Sequence, residues 1–243
     1  MAARRVAFLA AMPVELRPLI KQLSLQRTEL AGRPAYRGSL DDVEIVAAVM
    51  GMGPDKAART TEWLLDAMPA DHVVNIGVAG GVAPHVKTRD LVMPELVVDR
   101  ATGTEYRPSP LGSHTPAGTL LTISELEVDR TVHAELARQG VVALDMETAA
   151  VARVCEARGV PWSVFRALSD HVDEELVDDA IFGMLNADGS TKPSGVVRYV
   201  VRRPWAIPRL ARLGRDLSSA TTTAVTAALE AVRSAGHGGD AGA

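Results

Sequence analysis

Three acidic residues of this chain, Glu15, Glu147 and Asp170, each follow closely after a segment that is predicted to form a strand. Open α/β sheets bind their ligands at the carboxyl ends of their strands, so the three carboxylates are expected to meet at one edge of a sheet. Carboxylates placed in this way can act as general acids and bases, and they can accept paired hydrogen bonds from a sugar diol. The three positions therefore predict acid/base chemistry on a small polar ligand.

Two of these acids also have an ordinary structural role open to them. Glu147 opens a predicted helix, where an acidic side chain is favourable to the helix dipole, and Asp170 could be a helix N-cap or a turn residue. Arg166 is harder to explain in this way, because it lies inside the apolar segment 162–168 and an unpaired buried arginine is costly. We therefore expect Arg166 to pair with a carboxylate, and Glu15 is the candidate.

Strands and helices alternate along the chain, which is typical of an α/β fold whose sheet is covered on both faces. The predicted fold is a single-domain three-layer α/β/α sandwich over residues 1–235, with a central mixed, mostly parallel twisted sheet, followed by a disordered tail, residues 236–243. The glycine-rich residues 77–81 are expected to end a strand as a turn whose bare backbone can approach a ligand closely. Strands are predicted at residues 5–11, 34–39, 43–49, 72–76, 90–99, 119–123, 141–145 and 162–168, and helices at residues 14–23, 55–67, 129–138, 146–158 and about 207–233.

Composition limits the kinds of protein that this chain can be. Its net charge of −4 argues against a nucleic-acid-binding face, since neutralising phosphates requires a basic surface. The one cysteine, Cys155, is interpreted as a buried small hydrophobe, which fits a reducing compartment. His85, His114 and His133 lack the spacing of metal ligands, and no P-loop or Gly-x-Ser-x-Gly pattern is present. No segment approaches the roughly 20 apolar residues of a membrane span, so we expect a cytoplasmic protein. We also expect no metal and no cofactor.

Four short segments resemble, in the same order, motifs of the nucleoside phosphorylase superfamily, specifically of its methylthioadenosine/S-adenosylhomocysteine nucleosidase branch. Residues 10–15 resemble the family's Ala-Met-x-x-Glu motif, and residues 75–81 resemble its Gly-Ser-Ala-Gly-Gly turn. Residues 144–149 resemble its Glu-Met-Glu-Ala segment, and residues 166–170 resemble its Arg-Ala-Ile-Ser-Asp. The resemblance implies cleavage of the bond between a purine and a ribose, with adenine released from an adenosine-type nucleoside.

The resemblance also implies roles for individual residues. Glu15 would be the base that activates water, and Asp170 would protonate the purine at N7. Met146 and Glu147 would hold the ribose hydroxyls, and Arg166 and Ser169 would help to position the water, Glu15 and Asp170. Met12 and Met52 would line the pocket, and Val128 would contact the base. The remaining residues of the predicted site are Val78, Ala79, Gly80 and Asp145.

The residues leave open whether water or phosphate is the nucleophile. They also leave open whether the protein turns over a substrate at all. Asn75 stands where the phosphorylases of the superfamily carry a phosphate-binding arginine, and the charge of Glu15 would repel phosphate, so both favour water. Residues 169–171, in contrast, look phosphorylase-like. Val78 replaces a serine that helps to hold the nucleophile in the nucleosidases. A non-catalytic nucleoside-binding protein is therefore a further alternative.

The middle and the end of the chain bear on the substrate's 5′ substituent. Residues 100–128 are shorter than in typical nucleosidases, and residues 186–189 and 202–213 look more like the hopanoid-associated phosphorylases, which act on an adenosyl lipid precursor. Basic, apolar and aromatic residues mix in residues 199–215, which form either an ordinary amphipathic surface or a patch that contacts a membrane or a lipid. The 5′ substituent stays open, and a homodimer is expected from the family.

Overall fold

The computed structural model describes residues 5–124, 130–171 and 207–237. Within these ranges the chain forms eleven strands and five helices. The strands are β1 Arg5–Ala10, β2 Gln26–Leu30, β3 Arg33–Leu40, β4 Val43–Val49, β5 His72–Gly81, β6 Leu91–Val92, β7 Leu96–Asp99, β8 Glu105–Tyr106, β9 Thr119–Thr122, β10 Val141–Asp145 and β11 Trp162–His171. The helices are α1 Pro13–Gln22, α2 Pro54–Ala67, α3 Arg130–Arg138, α4 Thr148–Ala157 and α5 Ile207–His237.

All eleven strands belong to one mixed sheet, and helices cover both of its faces. One apolar cluster packs α2 and α4 against the sheet, with Leu64 and Val151 fully buried. A second cluster packs α1 and α5 against the opposite face, with Leu16 and Leu229 among its members. The predicted three-layer α/β/α fold is thereby confirmed. None of the described helices combines the length and the apolar composition that a membrane span requires.

The sheet divides at β5, and this division creates the site. One edge of β5 pairs with β11 from Val73 to Gly81. Its other edge pairs with the parallel strand β1 up to Asn75, and with the antiparallel strand β10 from Gly80 onward. Residues 76–79 of β5 are therefore left between two diverging strands. The carboxyl ends of β1 and β10 face each other across this gap. Open α/β sheets bind their ligands at the carboxyl ends of strands, so this gap is the expected place for a site.

Several predicted boundaries differ from the observed ones for local reasons. The glycine-rich residues 77–81 do not form a turn, because each of them continues the parallel pairing of β5 with β11. Pro94 interrupts the strand predicted over residues 90–99, leaving the short strands β6 and β7; a proline removes a ladder hydrogen bond. The polar edge strand β2 has no apolar alternation and was not predicted, and the two-residue strand β8 was not predicted either.

Candidate active site

Glu15 lies at the third position of α1 and is held by two backbone amides. The N–H of Met12 donates to Oε2 at 2.7 Å, as in a capping box, and the N–H of Val78 donates to Oε1 at 2.9 Å. The residue is 1% exposed. Burial raises the pKa of the Glu15 carboxyl, although the Arg166 charge and the two amides oppose that change. Glu15 is therefore a carboxyl held in place by two amides, and its pKa is shifted in the direction that favours a general base.

Arg166 is fully buried in β11 and faces three carboxylates. Its Nη2 lies 2.6 Å from Asp145 Oδ2 and 3.6 Å from Glu147 Oε2, and its Nη1 lies 3.8 Å from Glu15 Oε1. The predicted pairing of Arg166 with Glu15 is present, but Asp145 is the closer partner. Burial by itself would lower the pKa of Arg166, yet the three carboxylates raise it above its usual value. The guanidinium is therefore charged and lies at the centre of the site.

Glu147 is the N-cap of α4, directly after β10, rather than a residue of the first helical turn. Its Oε1 accepts a hydrogen bond of 2.8 Å from the N–H of Gly53, which belongs to the turn before α2. Burial and the neighbouring charge of Asp145 raise the pKa of Glu147 to about 7, against the pull of Arg166. Near neutral pH this carboxyl therefore changes its protonation state easily.

Gly77 allows Glu15 and Arg166 to approach each other. Its φ is +150°, a conformation that favours glycine, and a Cβ at this position would overlap both Arg166 Nη1 and Glu15 Oε1. Arg166 is the register partner of Gly77 on β11. The motif Gly77 to Gly81 thus contributes close packing of charged side chains rather than a turn.

The structure brings together four of the predicted side chains, Glu15, Asp145, Glu147 and Arg166. Val78 contributes its backbone N–H, while its side chain packs with alanines of α5 and β11. The other predicted residues are placed as follows: Met12, Met52, Met146, Gly80 and Ser169 are half-buried, Ala79 is in the core, Val128 lies outside the described residues, and Asp170 is described for its backbone alone, which pairs with Gly80 after a bulge at Ser169.

Five residues of the site were not predicted from the sequence. A buried network surrounds Asp145, whose partners are the hydroxyls of Thr122 and Thr148, and Thr148 also accepts a hydrogen bond from Asn75. The backbone of Gly53 and the missing side chain of Gly77 complete the set. Small polar residues are common in turns. Those near the ends of β9 and β10 therefore give no sequence signal of a buried hydrogen-bond network.

The raised pKa of Glu147 predicts how stability depends on pH. Because the folded protein binds this proton more tightly than the unfolded chain, the free energy of unfolding should fall as pH rises from 4.5 to about 7. One pKa unit corresponds to about 1.4 kcal/mol, so the whole rise corresponds to roughly 3 kcal/mol. About 2 kcal/mol of this falls between pH 5 and pH 7.5, and Glu147→Gln should remove it. Denaturant unfolding at pH 5 and pH 7.5 measures it, with the exposed Glu29→Gln as the control. Parallel pH curves for the wild type and Glu147→Gln would contradict this assignment.

Comparison with known proteins shows that the chain belongs to the phosphorylase superfamily. The model of this family matches residues 5–120 and 113–202, which together span most of the chain. Within the superfamily the chain is like the methylthioadenosine/S-adenosylhomocysteine nucleosidases. The expected family is therefore confirmed.

Two relatives and one solved structure illustrate this similarity. The chain is 29% identical over 231 residues to a 5′-methylthioadenosine/S-adenosylhomocysteine nucleosidase of Chromohalobacter salexigens, covering 82% of this chain and 97% of that protein. It is 27% identical to an aminodeoxyfutalosine nucleosidase of Helicobacter pylori, covering 71% of this chain and 87% of the relative. The crystal structure of a Helicobacter pylori 5′-methylthioadenosine/S-adenosylhomocysteine nucleosidase superimposes with a TM-score of 0.72 at 18% identity, covering 96% of this chain and 99% of the other. At that identity the superposition supports the fold alone.

Proposed function

We propose that this protein is a purine nucleosidase, which hydrolyses the N-glycosidic bond of a 5′-substituted adenosine and releases adenine. The observation that carries the proposal is the meeting of Glu15, Glu147 and Arg166 where the sheet divides beside β5. Three acids (Glu15, Asp145 and Glu147) meet Arg166, and different elements of the fold supply them. Glycoside cleavage commonly uses paired carboxyl groups beside the bond that breaks. The nucleosidases among the relatives support the same class of reaction.

Glu15 is the proposed general base. A carboxylate has about four acceptor sites, and the amides of Met12 and Val78 use two of them, so acceptor capacity remains for a water molecule. The water oxygen forms the new bond to C1′ of the ribose while Glu15 takes its proton. The bond from C1′ to the purine nitrogen breaks, and its electron pair goes to the base.

Glu147 and Asp170 have the complementary proposed roles. Glu147 accepts hydrogen bonds from the ribose hydroxyls, since its Oε1 is fixed by Gly53 and the carboxylate as a whole faces Arg166. Asp170 delivers a proton to N7 of the departing purine. The placement of its backbone at the end of β11, opposite Gly80, is consistent with that task. Proton donation to a leaving group typically contributes about 10²- to 10⁴-fold to the rate.

The charge of the site favours water over phosphate as the nucleophile. Glu15, Asp145 and Glu147 surround the single guanidinium of Arg166, whose Nη2 is already bonded to Asp145. When these carboxyls are ionised, their excess negative charge stabilises the positive character that develops on the ribose at the transition state, and it repels a phosphate dianion. Asn75, at the position of the phosphorylases' arginine, is fully buried and donates to Thr148 instead. These contacts support hydrolysis over phosphorolysis.

A panel of nucleosides tests the proposed activity. The purified protein is incubated with 5′-methylthioadenosine, S-adenosylhomocysteine, adenosine and inosine, with uridine as the pyrimidine control, and free base is measured by liquid chromatography. Release of adenine from at least one adenosine derivative, and its loss in Asp170→Asn, is the expected result. Tight binding of these compounds with no base released over long incubation would overturn the proposal in favour of a nucleoside-binding protein.

A further inference from the structure

The Asp145–Arg166 pair is enclosed by a second group of side chains, whose hydroxyl and amide groups are not part of the proposed chemistry. Thr122 donates to Asp145 Oδ1 at 2.7 Å, and Thr148 donates to Asp145 Oδ2 through its hydroxyl. The backbone N–H of Thr148 adds a contact of 3.1 Å to Oδ2. Together with Nη2 of Arg166, these donors satisfy both oxygens of a carboxylate that is almost entirely buried.

Thr148 connects three members of this network, Asp145, Asn75 and Arg166. Its hydroxyl donates its one proton to Asp145 and accepts from Asn75 Nδ2 at 2.8 Å and from Arg166 Nη2 at 3.3 Å. A hydroxyl offers one donor and two acceptor sites, so the hydrogen-bonding capacity of Thr148 is fully used. The residue is fully buried. The proton and both lone pairs of this hydroxyl are therefore used by Asp145, Asn75 and Arg166.

The position of Thr148 in the chain explains why it can do this. It is the first residue of α4, directly after Glu147, so one turn of backbone carries both the carboxyl that reaches Gly53 and the hydroxyl that reaches Asp145. Asn75 approaches from β5, and Arg166 from β11. The turn between β10 and α4 is thereby connected to strands β5 and β11.

We propose that Thr148 is a positioning residue, whose hydroxyl holds Asp145 against one side of the Arg166 guanidinium so that the other side stays directed at Glu15. This inference rests on the proposed function for its catalytic consequence. Without the hydroxyl, Asp145 loses a donor and Asn75 loses an acceptor, and Arg166 loses one of the contacts that fix its plane. The guanidinium is then free to shift away from Glu15, from which it already stands at 3.8 Å.

Thr148→Val and Thr148→Ser form a matched pair for the test. Valine has the shape of threonine without the hydroxyl, and serine keeps the hydroxyl. A misplacement of catalytic groups by about 1 Å can cost about 100-fold in rate, so a smaller displacement of Arg166 should cost about 10- to 100-fold. We expect Thr148→Val to lower kcat by about this factor with a smaller change in KM, and Thr148→Ser to restore most of it.

The pH profile distinguishes positioning from a general loss of stability. Arg166 is the cation that lowers the pKa of Glu15, while Glu147 and Asp145 are the other charged groups nearby. If the guanidinium moves away, the acid limb of kcat/KM should shift to higher pH in Thr148→Val and return in Thr148→Ser. Val151→Ala, a cavity variant on the same helix and equally buried, is the control for destabilisation. An equal shift in Val151→Ala, or no shift in Thr148→Val, overturns the proposal.

Two further measurements keep the inference testable on its own. If Thr148→Val does not fold, Thr122→Val removes the other hydroxyl donor of Asp145, and the same direction of shift is expected. If the wild type cleaves no nucleoside, the proposed function fails, but a ¹³C NMR titration of the Glu15 carboxyl, assigned by its loss in Glu15→Gln, still tests the positioning. A Glu15 titration unchanged by the hydroxyl-removing substitution would contradict the role of Thr148 in either case.

Discussion

Replacement of Glu15 by glutamine should lower kcat/KM for nucleoside hydrolysis by about 10²- to 10⁴-fold, the usual contribution of a general base. The amide has nearly the shape of the carboxyl, so the packing around it is kept. It cannot take a proton from water at neutral pH, and it carries no charge to stabilise the developing positive ribose. Steady-state kinetics on the wild type and Glu15→Gln measure this effect.

The control for this substitution is Glu29→Gln, an exposed residue of β2. It should leave kcat and KM at their wild-type values. Glu15→Gln should also remain folded, since one oxygen can still accept from Met12 or Val78, and thermal unfolding checks this. A folded Glu15→Gln protein with at least one tenth of the wild-type kcat/KM would exclude Glu15 as the base.

Gly77→Ala should disrupt both the packing of the sheet and the geometry of the site. The added Cβ would overlap both Arg166 and Glu15, and the φ of +150° is unfavourable for alanine. Crowding in a well-packed interior costs typically 1–3 kcal/mol, and a displacement of about 1 Å in catalytic groups can cost about 100-fold in rate. We expect both losses together, measured by denaturant unfolding and by kcat/KM.

Gly32→Ala separates backbone strain from crowding. Gly32 lies between β2 and β3 with a φ of +75°, and a Cβ there would have no neighbour within 4 Å. This variant should lose some stability through its backbone conformation and keep its full activity. If Gly77→Ala and Gly32→Ala behaved alike in activity, close approach at Gly77 would not be what holds Glu15 and Arg166 together.

The sequence predicted the groups that carry charge better than the groups that hold them. Glu15 and Glu147 could be predicted because they follow apolar strands, where open α/β sheets bind ligands. Arg166 could be predicted because an arginine inside an apolar strand needs a partner. Asp145 was predicted among the residues around the site, but its closeness to Arg166 could not be inferred, since the register of β10 and β11 depends on how β5 divides the sheet. Thr148 and Asn75 carry no such signal.

The fold was predicted correctly where the alternation of strands and helices was clear, and wrongly where the pairing of strands determined the local structure. The alternation of strands and helices predicted the three layers correctly. Glycine usually interrupts strands, so the glycine-rich residues 77–81 predict a turn. Pairing with β11 instead holds these residues in an extended strand. Val128, residues 199–206 of the segment 199–215 and the tail beyond His237 lie outside the described residues. The base site, the membrane-facing patch and the homodimer stay predictions.

Product analysis with the adenosine derivative that is turned over fastest tests the central claim most directly. Base and sugar are quantified in phosphate-free buffer and again with saturating phosphate. If Glu15 activates water, one reducing sugar should appear for each adenine, at a rate that phosphate does not increase, and Glu15→Gln should suppress both products together. Adenine release that requires phosphate and yields a sugar 1-phosphate would contradict the account.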